Sequence, residues 1–578
     1  MFDADGAQAI SPAHGLVLAS EDHSVAVMRS MIQRYVTDRA ALERVHPVPF
    51  SPNAIERMQR FLSEQERGMA ALDFASLDPD SQVDFVLFRS RIRFEQQELK
   101  REVTRFQEIQ SWVPFATQIL SVVEAPRGTP SLDTAAMAQQ IARLADQVAA
   151  TKKRLEDLLK EKPNASARSN GLSKVFANRT AHAVDQLRDA LRDWNTFYSG
   201  YHPEFGWWMK QPYERCEKQL VDYAAAMRKD VVGIKEGEDA PLVGDPIGRE
   251  ALMSALADEM IPYTPEELIR IGEAEFVWCD REWKRAAKDL GFGDDWRKAL
   301  DHVSSLHVKP GDQPRLIREL ADESVRFLEE RDLVTIPALC KEVWRMEMMT
   351  PERQKVNPYF TGGEVISISF PTDTMTHEDK VMSLRGNNIH FSRATVHHEL
   401  IPGHHLQSYM AARYQTHRSL FYTPFLVEGW ALYWEMLLWD MGFPKTAEDR
   451  VGMLFWRTHR CARILFSLKF HMGQMSAEEA VDFLVDRVGH ERRNATAEVR
   501  RSILGGYGPL YQAAYMLGGL QIRALRKELV DSGKMTHRQF HDAVLRENTI
   551  PIEMVRARLS GQSPSPDFKP QWRFYPGL

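Results

Sequence analysis

Apolar residues recur every three to four positions along most of the chain, the period of an α-helix that turns one face to a core. Across residues 133–162 the positions Ile141, Leu144, Val148, Leu155 and Leu158 keep that spacing and predict one long amphipathic helix. Thr264-Pro265-Glu266-Glu267 opens another, with proline at its first position and acid in its first turn, and Gly291 is its expected stop. Ser476-Ala477-Glu478-Glu479 has the form of a capping box for a helix ending near Gly489. Pro, Gly, Asn and Ser gather at 163–171 and 236–246, which read as loops. One stretch departs from the helical period. Glu364-Val365-Ile366-Ser367-Ile368-Ser369-Phe370 alternates β-branched and small residues between Gly362-Gly363 and Pro371, so 364–370 is expected to be a short strand. The pattern predicts a mainly α protein with a small β-ribbon. Its helical lobes are expected at 1–235 and 236–578, the second holding helices at 391–414 and 425–440.

Composition narrows the possibilities. At 578 residues and 43% apolar content the chain is long enough for a large core, and two lobes around a deep cleft are expected. A net charge of −6 gives no basic footprint for nucleic acid or an anionic membrane. Cys216, Cys279, Cys340 and Cys461 are scattered without metal-knuckle spacing and read as reduced thiols. The first ten residues carry acid where a signal peptide carries base, and no run reaches the roughly 18 apolar residues of a membrane span. A cytoplasmic protein without a membrane partner is the expectation. Monomer and homodimer both remain open.

The densest chemistry lies in His397-His398-Glu399-Leu400-Ile401-Pro402-Gly403-His404-His405-Leu406-Gln407. Four imidazoles and a carboxylate at this density read as a Zn2+ site. The nearest short motif is HExxH, whose two histidines bind the metal while the Glu acts as general base. Here Pro402 takes the place of the second histidine, and its missing N–H should open the helix. On a straight helix His398 and His404 would point about 120° apart. A looped-out Pro402-Gly403 turn could swing His404 under His398 and leave Glu399 beside the ion. Whether His404 or His405 is the second ligand, and what His397 does, the sequence leaves open. Glu428 is a third candidate ligand, a carboxylate in the apolar run from Phe425 to Trp434 that needs a partner. Glu435, two turns on, could orient a ligand histidine. Pairing of Glu428 with Arg457 or Arg460 is the plainer alternative.

The run from Asn357 to Gln407, with Glu428-Gly429-Trp430-Ala431-Leu432-Tyr433, resembles the bacterial domain-of-unknown-function 885 family, whose hallmark is HExxPGHH followed by EGWALY. The likeness continues through Glu498-Val499-Arg500-Arg501, Tyr515 with Gly518, and Phe540-His541-Asp542 with Leu545. It departs at Ser502, where the family usually has Tyr, and across Gly505–Gln512, where the family has Pro-Gly-Gln-Ala. The family resembles a distant branch of the gluzincin peptidases, akin to carboxypeptidase Taq and the thimet and oligopeptidase F group. That resemblance implies a zinc metallopeptidase fold and short peptide substrates. Its members are often exported.

Amide hydrolysis at such a site would use zinc to activate water and Glu399 to move its proton. An oxyanion donor is also required, with Tyr515 first because it matches the family's tyrosine, then Tyr511 and Tyr507. An arginine suits a substrate carboxylate, and Arg501 and Arg385 are the candidates. The expected strand could pair with a peptide backbone, and residues 385–391 would line the same cleft. A small non-peptide amide or amino-acid conjugate is an alternative substrate. A non-catalytic helical protein with a structural ion is the alternative of another class, against which an intact Glu399 argues.

Overall fold

A computed structural model describes residues 23–577 apart from 126–131, 162–171, 236–239, 357–359, 361 and 505. Helices make up 73% of the chain, and the sheet among the described residues has two strands, so the protein is mainly α. The helices run in order as α1 (His23–Val45), α2 (Pro52–Ala70), α3 (Pro79–Ile109), α4 (Ala116–Val123), α5 (Thr134–Glu161), α6 (Lys174–Ser199) and α7 (Pro203–Ala226). They continue with α8 (Gly248–Asp258), α9 (Pro265–Asp289), α10 (Trp296–Ser304), α11 (Gln313–Glu330) and α12 (Ala338–Val343). Next come β1 (Arg345–Met348), α13 (Pro351–Val356), β2 (Val365–Ile368), α14 (His377–Gly386), α15 (Ile389–Glu399) and α16 (His404–Ala411). The last are α17 (Pro424–Asp440), α18 (Ala447–His471), α19 (Ala477–Val488), α20 (Arg492–Leu504), α21 (Tyr511–Arg526), α22 (His537–Arg546) and α23 (Ile552–Leu559).

Local signals behave as their chemistry requires. Thr264 and Glu267 exchange side-chain and backbone bonds at the start of α9, and Gly291 takes φ +84° just after its end. Ser476 and Glu479 do the same for α19, which stops at Gly489 with φ +83°. The expected loop at 163–171 lies outside the described residues, as do 236–239, while 240–247 carry no helix. The strand is shorter than its pattern, Val365–Ile368. Just beyond it the Gln354 side chain accepts from Ser369 Oγ and Phe370 N–H, both at 2.9 Å, and so replaces the ladder. Its partner β1 lies parallel, Arg345 opposite Val365 and Met348 opposite Ile368. The helix expected over 391–414 is two helices, α15 and α16, parted at Pro402.

Apolar side chains form three clusters. One fills the bundle of α4 to α7 around Leu187, Trp194, Phe205 and Tyr223. A larger one joins α1 to α3 with α8 to α11 and with α15 to α23. A small one, with Ile366, Ile368, Val396 and Leu400, seats β2 against the end of α15. Arg418 is wholly buried and fastens distant parts of the second cluster, bonded to Asp84 of α3 at 2.7 Å and paired with Glu547 after α22.

The helices α17 and α21 meet at glycine. A Cβ on Gly518 would lie 1.9 Å from Phe425 O, and one on Gly429 would lie 2.6 Å from the Gly518 backbone. No side chain fits between these backbones, and their contact sets how closely Glu428 faces Tyr511 and Tyr515. Replacement of Gly518 by Ala should therefore destabilise the fold by about 1–3 kcal/mol or more, the usual cost of overpacking. Denaturant unfolding would show it, and an unchanged midpoint would mean that the helices part freely.

Candidate metal centre

Asn388 caps α15, accepting from the N–H groups of His390 and Phe391 at 3.0 Å each. The helix carries His398 and Glu399 in its last turn and ends where Leu400 leaves helical geometry, at φ −105° and ψ −105°. The chain then reverses sharply, with Gly403 N–H donating to His397 O at 3.0 Å. A Cβ on Gly403 would lie 1.8 Å from His398 O, so only glycine permits this reversal. The two carbonyls of the turn are satisfied from outside it. Ser324 Oγ donates to Ile401 O, and the Trp430 indole donates to Pro402 O, each at 2.8 Å. His404 consequently opens α16 with its ring 4.8 Å from that of His398 and nearly perpendicular to it.

Glu428, buried on α17, faces both rings. Its Oε2 lies 3.1 Å from His404 Nε2 and 3.7 Å from His398 Nε2. The three donor atoms fall within 4.8 Å of one another. Tetrahedral zinc with bonds of about 2.0–2.1 Å places its ligands about 3.3 Å apart, a spacing these donors bracket. Glu428 Oε2 is buried without an aligned hydrogen-bond donor, while Oε1 accepts from the Tyr511 hydroxyl. Behind the cluster His398 Nδ1 bonds Glu435 Oε1 at 2.7 Å, which fixes the ring so that Nε2 points at Glu428. Burial opposes charge on His398, but the Glu428 and Glu435 carboxylates outweigh it and hold the imidazole up at about 9. Glu428 itself is held well below the usual carboxylate range, since the two imidazoles outweigh its burial. A divalent cation would take the place of those protons. The residues present therefore fit a metal ion, with two nitrogens and one oxygen as donors.

The other candidates are sorted by the same geometry. His397 lies one residue round the helix and packs edge-on against Phe443 at 5.5 Å. Neither of its ring nitrogens has an aligned hydrogen-bond partner among the described residues, and burial pulls its pKa down to about 4. His405 points away, its Nε2 2.8 Å from Cys340 O. Glu399 lines the cavity beside the cluster and forms no side-chain hydrogen bond or ion pair among the described residues. The Tyr515 ring stacks beside His398 at 6.3 Å, and its hydroxyl meets no partner among the described residues. Tyr511 is engaged with Glu428 and packs against Tyr507, ring centres 4.4 Å apart and tilted by 39°.

Arg501 lines the same cavity, of about 280 Å³, and pairs with Glu498 at 3.2 Å. Arg385 does not belong to it. Its guanidinium turns to Asp301 of α10 at 3.4 Å and lines a separate hollow with Leu300 and His490. No residue of 385–391 or of β2 lines the metal cavity, although Phe360 and Gly362 just before β2 do. Arg457 pairs with Glu275 at 3.0 Å, which removes it as a partner for Glu428. Arg463, Glu498 and His459 also line the cavity, and of these Arg463 escaped sequence reading. Its signal was the third-position recurrence of Arg457, Arg460 and Arg463 along an apolar helix.

The family described as bacterial protein of unknown function (DUF885) matches residues 43–559. The chain belongs to DUF885. Among solved structures this member resembles one described as a "putative lipoprotein of unknown function" from Shewanella oneidensis, with TM-score 0.65 and 16% identity over 92% of this chain and 99% of that one. It also resembles a "putative lipoprotein" from Colwellia psychrerythraea, with TM-score 0.57 and 14% identity over 93% of this chain and 99% of that one. At these identities the likeness shows a shared fold. No curated protein matches the chain.

The cytoplasmic expectation is corrected by these neighbours. Both are described as putative lipoproteins, which points to export or membrane anchoring, whereas the expectation rested on the acidic first ten residues, outside the described part. No helix among the described residues is long and apolar enough to cross a membrane.

Glu435→Gln should weaken zinc binding about 10- to 100-fold, the usual effect of removing a carboxylate that orients a ligand histidine. His405→Ala should leave affinity unchanged. Competition with a chromophoric chelator measures both, and equal effects of the two substitutions would contradict the assignment.

Proposed function

We propose that this DUF885 member is a zinc-dependent hydrolase of amide bonds in short peptides, with His398, His404 and Glu428 as ligands and Glu399 as general base. The observation that carries this reading is the Glu399 carboxylate, without a hydrogen bond or ion pair among the described residues and directly beside a cluster that supplies three donors and faces a cavity. A structural zinc is closed by four protein ligands, while a catalytic one keeps a position for water. When bound, zinc supplies a water whose pKa falls towards ~7 and a Lewis acid for the scissile carbonyl.

The protein's own groups supply the rest. Glu399 accepts the water proton and delivers it to the leaving nitrogen, a role contributing about 10²–10⁴ in rate. Tyr511 and Glu435 hold Glu428 and His398 in place. That leaves the free hydroxyl of Tyr515 as donor to the developing oxyanion, and its replacement by Phe should cost on the order of 10²–10³ in kcat. The lipoprotein descriptions of the neighbours support an activity outside the cytoplasm.

A peptide-library digest read by mass spectrometry, with elemental analysis of the same preparations, tests the reading. Wild-type protein should carry about one zinc per chain and cut the library. Glu399→Gln should retain the metal and lose cutting. Undiminished cutting by that variant, or wild-type protein that takes up no metal, would sink the proposal.

A further inference from the structure

Arg460, Arg463 and Arg501 share the cavity with the metal donors, and a single carboxylate serves them. Glu498 bonds Arg463 Nε at 2.7 Å and pairs with Arg501 at 3.2 Å. Arg460 has no hydrogen bond or ion pair among the described residues, and its Nε is buried without a partner. It is only 8% exposed. Its guanidinium lies 4.8 Å from the Tyr515 ring centre and 5.2 Å from that of Trp456, so aromatic faces attend to the cation while its N–H edge goes unused.

Charge around this wall does not balance. Among the described residues three guanidiniums line it, Glu498 pairs with Arg463 and Arg501, and Glu399, the cavity carboxylate without a histidine partner, makes no ion pair with any of the three. His459 and His490 stand behind Glu498, and burial keeps both neutral, so they do not alter the count. Glu428 and Glu435 are occupied with the histidines. Buried charge is ordinarily paired, so a guanidinium left without a carboxylate among the described residues, facing a cavity, suits an incoming anion.

The geometry points to Arg460, supported by Arg463 and Arg501, as the site that binds the C-terminal carboxylate of the peptide, making the enzyme one that releases the last residue of the chain. This inference rests on the zinc-hydrolase reading and names the substrate end that the site takes. The planar fork of an arginine matches a carboxylate with two parallel hydrogen bonds. A cavity of about 280 Å³ also suits one or two residues better than an extended chain passing through.

Calorimetry on the zinc-loaded Glu399→Gln protein tests it without turnover. N-acetyl dipeptides ending in Phe, Leu, Lys or Glu are compared with their C-terminal amides, with and without Arg460→Gln. The acids should bind about 10- to 100-fold more tightly than the amides, as expected for hydrogen bonds between charged groups, and Arg460→Gln should erase the difference. Arg460→Gln gives up the contacts with Tyr515 and Trp456, so its zinc content is measured beside its binding; retained zinc with the acid preference erased shows that lost binding is not lost fold. Equal binding of acid and amide, no binding of either, or a difference that survives Arg460→Gln overturns the inference. The two readings also fail separately. A protein that prefers acids but cuts nothing keeps the carboxylate site and loses the hydrolase. One that cuts acids and amides at equal rates keeps the hydrolase and loses the carboxylate site.

Discussion

The Glu428 carboxylate sits in a helix whose neighbours are almost all apolar, and burying such a charge unaided would cost on the order of 20 kcal/mol in the Born limit. That exceeds the whole margin of roughly 5–15 kcal/mol by which a domain is stable. The surrounding structure answers this demand from several directions. Two imidazoles from α15 and α16 face one oxygen, and the Tyr511 hydroxyl from α21 takes the other. The glycine contact of α17 with α21 makes the second possible, and the reversal at Gly403 makes the first.

Much of this was legible in the sequence because it is chemically local. Capping at Thr264 and Ser476 depends on residues three apart, and the helix break follows from the missing N–H of Pro402. The demand of Glu428 for a partner follows from its apolar flanks alone. The identity of the second ligand was not legible, since both His404 and His405 follow the break. Only the anchoring of the turn by Ser324, 77 positions before Ile401, and Trp430, 28 positions after Pro402, decides which ring turns inward.

Elsewhere proximity along the chain misled. Arg385 precedes the motif by a dozen residues yet faces α10, because α14 separates from α15 at the Asn387-Asn388 corner. The β1 strand, Arg345-Met346-Glu347-Met348, alternates charged and apolar residues over only four positions, too short a run to single out, and it pairs with β2. Arg460 lay in view but without meaning. An arginine in an apolar helix acquires a role only when α20 and α21 arrive with too few carboxylates to pair it, a property of three helices together.

The reversal at Pro402-Gly403 also changes what the ligand spacing depends on. In an unbroken HExxH helix the two imidazoles inherit their separation from the helical pitch, so a short segment already contains most of the site. Here the separation exists only once α11 and α17 hold the turn, and the third ligand comes from α17 as well. The donors are thus brought together by tertiary contacts and not by one local helix. An ion bound there would add its binding free energy to the stability of the native chain.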